Sequence, residues 1–215
     1  MNYNIIASSS KGNAVIINEK VMIDCGVPFL RLKDHYKNLQ LVLLSHIHND
    51  HFNKVTIKKL GEERPTLRFA CCKWLVNDLV ACGVKKQNID VLSIGRTYNY
   101  NICKVVPIEL YHNVDQCGYR VFIDNKKLLY ATDTNSLDGI VAKDYDYYLL
   151  EANYEEKGIL ERIKAKEDAG WLFIYEKDAM LNHLSKERCD EFILKNAGEK
   201  SIYEYLHQHV ERENI

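Results

Sequence analysis

Ten consecutive residues, Ser45-His46-Ile47-His48-Asn49-Asp50-His51-Phe52-Asn53-Lys54, limit what this chain can fold into more than any other stretch. Four side chains of metal-ligand type, His46, His48, Asp50 and His51, fall within six positions, in a chain of 215 residues with only 8 histidines. They follow Leu41-Val42-Leu43-Leu44, an apolar run of the length and branching of a buried strand. At a strand end, His46 and His48 lie two apart and point to the same side. Asp50 and His51 begin a tighter turn and reach a second point nearby. The stretch can therefore open one metal site or two, and the remainder of the chain has to decide which.

Composition narrows the class. A hydrophobic fraction of 47% and a charged fraction of 27% are ordinary for a globular protein. The length suits one domain with a sizeable core. With 3 prolines and no Gly/Ser-rich or charge-block stretch, no linker is expected, so residues 1–215 are read as one domain. The apolar runs are far shorter than the ~20 residues of a membrane span. Met1-Asn2-Tyr3-Asn4 lacks the basic-then-apolar pattern of a secretory signal, and the expectation is a cytoplasmic protein with no membrane partner. The 7 cysteines are an odd set without a Cys-x-x-Cys pair, expected as small core residues. A net charge of −1 argues against gripping nucleic acid with the whole surface, but leaves room for a local basic groove.

In chain order, residues 2–7 and 14–18 read as strands around Ser8-Ser9-Ser10-Lys11-Gly12-Asn13, either an anion-holding loop or a plain hairpin turn. Val21 to Ile23 is a strand ending in the turn Asp24-Cys25-Gly26. Pro28 suits the first turn of a helix over 28–37, with His35 on its surface. After the histidine-rich loop, Asn53 caps a helix with Val55, Ile57 and Leu60 inward, Lys54, Lys58 and Lys59 outward, and Gly61 as its stop. A short strand over 67–70 and a helix over 71–82 follow. Strands are expected over 102–110, ending at Tyr111-His112, over 117–124, and over 127–131, ending at Thr132-Asp133. Tyr147-Tyr148-Leu149-Leu150 delivers Glu151, and residues 154–167 read as helical. His183-Leu184-Ser185 precedes a helix stopped by Gly198, and a last strand, Ile202 to Leu206, runs into His207-Gln208-His209. Polar residues thus gather at strand ends, the pattern of a cleft on a mixed α/β scaffold.

The chemistry follows from what zinc-type ions need: about four nitrogen or oxygen donors each, with a place left for water. His46, His48 and His112 can serve one ion; Asp50, His51 and a late histidine can serve another, with Asp133 bridging through its two oxygens. Two such ions sharing a hydroxide would favour hydrolysis of an ester or phosphodiester. Manganese is an alternative to zinc for this donor set.

His-x-His-x-Asp-His after an apolar strand resembles the signature of the metallo-β-lactamase superfamily, a likeness that runs from Asp24 through His112 and Asp133 to the C-terminal histidines. The resemblance implies an αββα four-layer sandwich with the metals between the edges of two sheets. Leu150-Glu151-Ala152-Asn153-Tyr154 resembles a segment of the tRNase Z-like phosphodiesterases, and Asn182-His183-Leu184-Ser185 one of the WalJ/YycJ exonuclease-like proteins. These imply a glutamate, Glu151, that orients a general acid, His183, toward a departing alkoxide. The ending His209-Val210-Glu211-Arg212-Glu213-Asn214 resembles the segment that carries the last ligand in WalJ-like proteins. It implies His209 as ligand of the second metal, with His207 the rival.

Asn182 and Lys186 depart from the family's flanks, and a closing layer lent by a partner subunit would make a homodimer. The reading that follows is a dinuclear hydrolase with nucleic acid or a nucleotide as substrate and with Asp50, Glu151 and His183 in its catalytic set. A cyclic-nucleotide phosphodiesterase of the anti-Pycsar kind and a glyoxalase II-like thioesterase are the alternatives. A metal-stabilised binding protein is the non-enzyme reading.

Overall fold

The computed structural model describes residues 1–208, so His209 lies outside the described residues. Two six-stranded sheets form the centre. The first runs in spatial order β1 (Tyr3–Ser9), β2 (Gly12–Ile17), β3 (Val21–Ile23), β4 (Leu41–Leu44), β5 (Arg68–Cys72), β6 (Ile89–Leu92). Its first three strands are antiparallel and the remainder parallel. The second runs β12 (Ile202–Leu206), β11 (Tyr147–Glu151), β10 (Lys126–Ala131), β9 (Cys117–Ile123), β8 (Cys103–Glu109), β7 (Tyr98–Tyr100). Here β7 to β10 are antiparallel, while β10, β11 and β12 are parallel.

The layering follows from the period-2 alternation of strands that are apolar on both faces. In β4, Leu41 and Leu43 turn toward the second sheet, where they meet Tyr119, Val121 and Leu128. Val42 and Leu44 turn the other way, against Ile57 and Leu60 of helix α1 (Lys54–Glu63) and Leu79 of α2 (Val76–Ala81). On β10 and β11, Leu129, Tyr148 and Leu150 face outward onto Cys189, Phe192 and Ile193 of α5 (Lys186–Asn196). The order helix, sheet, sheet, helix is the expected four-layer sandwich. Between β11 and α5, helices α3 (Glu156–Asp168) and α4 (Tyr175–Asn182) carry a small core of their own, Ile159, Ile163, Ile174 and Ala179.

Several local expectations are corrected. The helix over 28–37 is a 3-10 turn, Phe29–Leu32, within which Leu32 alone is buried, too little apolar face to hold three turns. Cys71 and Cys72 extend β5, because they pair with Leu44, Val91 and Leu92 on both sides and the ladder outweighs a helical spacing. α1 runs through Gly61 to Glu63, and Val55 is 77% exposed. The Asn53 cap fixes the helix so that Thr56, Ile57 and Leu60 face inward, and the Thr56 hydroxyl donates to Val27 O at 2.7 Å. The strands β6 and β7 and the helix α4 carry no recognisable sequence signal. All seven cysteines are buried free thiols, as expected.

Candidate metal centre

At one edge of the sandwich, the ends of both sheets deliver the candidate residues. The loop after β4 carries His46, His48, Asp50 and His51; Asp133 lies two residues beyond β10, Glu151 ends β11 and His207 directly follows β12. Asp24, Asp133 and His207, each just beyond a strand, have φ of 58°, 54° and 50°. Left-handed backbone is costly for residues other than glycine and clusters where a side chain must be aimed.

Among the described residues the donors fall into three groups that share Asp133, the third joining it to Glu151, His183 and His207; the other two are the candidate cation sites. His46, His48, His112 and Asp133 form one; Asp50, His51, Asp133 and His207 form the other, with all ligand atoms of a group within 4.8 Å of one another. Asp133 Oδ2 lies 3.3 Å from His46 Nε2, 3.2 Å from His51 Nε2 and 3.8 Å from His112 Nε2. One oxygen thus reaches both groups, whereas the sequence suggests one oxygen for each. Asp133 Oδ1, 3.4 Å from His207 Nδ1, is buried with no hydrogen-bond partner among the described residues. His207 Nε2 stands 3.3 Å from Asp50 Oδ2. Among the described residues, His207, the rival of His209, closes the second group.

The electrostatics suit cations. Burial, helped by the charge of His51, lowers the pKa of His46. Burial also takes His112 down to about 4 against the pull of Asp133. Both rings are neutral at pH 7, yet His46 Nε2 approaches His48 Nδ1 at 3.1 Å and His112 Nε2 approaches the same atom at 3.3 Å. Converging ring nitrogens, beside a carboxylate oxygen with no partner among the described residues, are a donor set that a divalent cation satisfies. Burial works to raise the pKa of Asp133, but His51 and His207 outweigh it and hold the group well below the carboxylate range. Burial likewise opposes ionisation of Glu151, and His183 and His207 keep it ionised.

The rings of His46, His51 and His112 are each set by a second contact, the usual condition for a precise ligand. His51 Nδ1 meets Asp24 Oδ2 at 2.7 Å, and that carboxylate also accepts from Tyr130 OH at 2.8 Å and, through Oδ1, from Ser45 N at 2.9 Å. His46 Nδ1 meets Ser45 Oγ at 2.9 Å, and His112 Nδ1 meets Asn182 O at 3.0 Å. Asn153 Nδ2 donates to His207 O at 2.8 Å, while the His207 N–H donates to Ser8 Oγ at 2.7 Å. Asn13 Nδ2 lies 3.2 Å from Asp50 Oδ2 and 2.8 Å from His51 Nε2, so the hairpin β1–β2 serves as a brace. Sequence reasoning assigns no role to Asp24, Asn13, Tyr130 or Asn153. A charged residue closing a buried strand is the available signal for Asp24.

Beside these groups, His183 Nδ1 and Glu151 Oε1 are 2.6 Å apart, and the His183 ring stacks on His207 with centroids at 5.2 Å. Leu184 N and Thr134 N both donate to Glu151 Oε2, fixing the carboxylate. The cleft thus joins a cation-binding pair of clusters to an oriented imidazole able to exchange a proton. His35 stands apart from it, paired with Glu19 at 2.8 Å. No described helix is long and apolar enough to cross a membrane.

Comparison with known proteins agrees with the fold. No curated protein sequence matches the chain. Among solved structures, the metallo-β-lactamase fold protein YhfI from Bacillus subtilis superposes with a TM-score of 0.73 at 14% identity, covering 96% of this chain and 85% of its own. Human tRNase Z, short form, gives 0.67 at 12% identity, with 97% and 92% covered. Zinc-bound PqqB from Methylobacterium extorquens gives 0.69 at 12% identity, with 97% and 89% covered. The clusters and the family together support a metal-dependent hydrolase that uses divalent cations. Residues 19–168 match the model of the β-lactamase superfamily domain, and the chain therefore belongs to that superfamily, in its metallo-β-lactamase fold.

Proposed function

We propose that this chain is a dinuclear metal-dependent phosphodiesterase acting on nucleic acid, in the manner of an exonuclease. His46, His48, His112 and Asp133 would hold one cation, and Asp50, His51, Asp133 and His207 the other, zinc being the cation the nitrogen-rich set favours. A bound pair of cations polarises a phosphodiester and supplies a nucleophile from water at neutral pH. The observation that carries the reading is the 2.6 Å contact between Glu151 and His183. With Nδ1–H donated to Glu151, Nε2 is the position left to hand a proton to the departing alkoxide. An alkoxide leaving group needs that proton, whereas a thiolate does not, which favours phosphodiesters over thioesters. One structural neighbour is a tRNase by name. The net charge of −1 favours a small substrate, a cyclic mononucleotide, as the second reading.

The test is turnover of single-stranded DNA, cyclic mononucleotides and a thioester by the metal-loaded protein. Phosphodiester cleavage is expected; thioester cleavage alone would refute the reading. In His183→Ala, metal content should stay at the wild-type ratio while phosphodiester turnover falls about 10²–10⁴-fold. Retention of both would remove His183 from the reaction.

A further inference from the structure

A cavity of about 380 Å³ opens beside the first cluster, with His112 in its wall. That volume falls within the ~300–1,000 Å³ range of small-ligand pockets. Trp74, Ile94 and Tyr111 supply its apolar and aromatic surface. The Trp74 indole is anchored by its Nε1–H, which donates to Ser45 O at 3.2 Å, immediately before His46. Tyr111 immediately precedes His112 and is 50% exposed. Its backbone is fixed on both sides, by Thr134 Oγ1 at 3.1 Å and by the Asn135 N–H at 3.0 Å. Gln116, also in the wall, is buried; its Nε2 donates to the Asp133 carbonyl, and its Oε1 has no partner among the described residues.

The charge of the lining says what the cavity selects. Among the described residues no lysine or arginine lines it, whereas Glu109 and Asp115 do, so a phosphate would be repelled there. A planar ring suits the aromatic wall, and carboxylates accept from exocyclic amino groups. We propose that this cavity is the base subsite of the cleft. It would take a nucleobase bearing an exocyclic amino group, stacked on Trp74 and Tyr111, with its phosphate directed past His112 toward the paired clusters. The inference rests on the phosphodiesterase reading for the phosphate, but base recognition itself needs neither phosphate nor turnover.

Fluorescence isolates it. The chain has 2 tryptophans, so Trp171→Phe leaves Trp74 as the sole indole reporter. Titrating the metal-loaded variant with cytidine should give saturable quenching, and uridine should bind at least about fivefold more weakly. Adding Tyr111→Ala should weaken cytidine about tenfold through lost stacking. Adding Asp115→Asn should erase the preference for cytidine over uridine. Quenching that never saturates, or that Tyr111→Ala leaves unchanged, overturns the subsite; an unaltered preference in Asp115→Asn overturns the role of that carboxylate. Phosphodiester turnover without nucleoside binding would refute the subsite and leave the reaction standing. Nucleoside binding without turnover would do the reverse.

Discussion

On the first sheet, the loop that carries His46 to His51 is pinned through its backbone. Cys25 N donates to His51 O at 2.8 Å, Asn53 N to Cys25 O at 2.8 Å and Asn13 N to Asp50 O at 2.6 Å. The opposite wall is assembled from side chains: Glu151, His183 and His207 come from three separate elements and meet through carboxylate and imidazole contacts. Backbone pinning places four ligands with little freedom, which suits cation capture. Side-chain assembly leaves proton positions adjustable, which suits acid chemistry. The loop side should therefore fail by collision and the far wall by titration.

Gly26 gives the most drastic way to break the pinned side. A Cβ there would lie 1.6 Å from Asp50 O and 2.7 Å from His51 N, both backbone atoms with nowhere to go. Gly26→Ala should cost about 3 kcal/mol or more by forcing the loop off β3. Whatever folds should have lost the cation proposed for Asp50 and His51, and metal analysis with thermal melting checks both. An unchanged metal ratio and melting point would mean that the backbone contacts do not position the ligands.

This contrast also governs which parts of the site are legible in the sequence. The loop is legible because it is contiguous: four ligand-type residues crowd into six positions directly after an apolar strand, and a solvated loop has no need of that density. Asp133 and Glu151 can be found because each closes a run of strand-like residues. The sequence does not separate His207 from His209, since alternation in a continued strand would put both on one face, whereas β12 stops at Leu206. The turn that follows puts His207 at φ 50°, a conformation no sequence pattern announces. α4 escapes notice because it has no apolar repeat of its own: Ala179 and the preceding Ile174 pack in a small core formed with Ile159 and Ile163 upstream. The Asp24 contact to His51 spans 27 residues and joins two loops that only the parallel pairing of β3 with β4 brings together.

Titration probes the adjustable wall. Burial works to lower the pKa of His207, but Asp133, Asp50 and Glu151 outweigh it and raise the value from 6.5 to about 10. Across the cleft, on the loop side, His51 is raised in the same direction, with Asp133 and Asp24 overcoming burial. In the metal-free protein these rings bind protons more tightly folded than unfolded. Their stabilising contribution is full below pH 6.5 and is lost as pH climbs toward 10. Cations displace those protons, so metal loading at pH 7 should release protons measurable with an indicator dye. The melting temperature of the metal-free protein should fall across that window while that of the loaded protein stays level. A flat metal-free profile would show that the carboxylates do not govern this wall.

The smallest expected effects come from two helix caps, one on each side of the cleft. Asn53 Oδ1 accepts from Thr56 N at 3.0 Å and opens α1 immediately after the ligand loop. Asn53→Ala should cost about 1 kcal/mol, the usual value of a lost cap. Ser185 Oγ accepts from Arg188 N at 3.2 Å, opens α5 two residues after His183, and also donates to Glu156 Oε1 at 2.9 Å. Ser185→Ala removes both partners at a fully buried position, so it should cost about 2 kcal/mol. Because the far wall is positioned by side chains, Ser185→Ala should also lower turnover at unchanged metal content. Asn53→Ala should leave turnover unaltered, since the backbone bond from Asn53 to Cys25 survives the substitution. Denaturant titrations of the two variants beside steady-state assays measure both quantities. Equal losses of turnover in the two would mean that both sides depend on their helices to the same degree, and the distinction between a pinned loop and an assembled wall would fall.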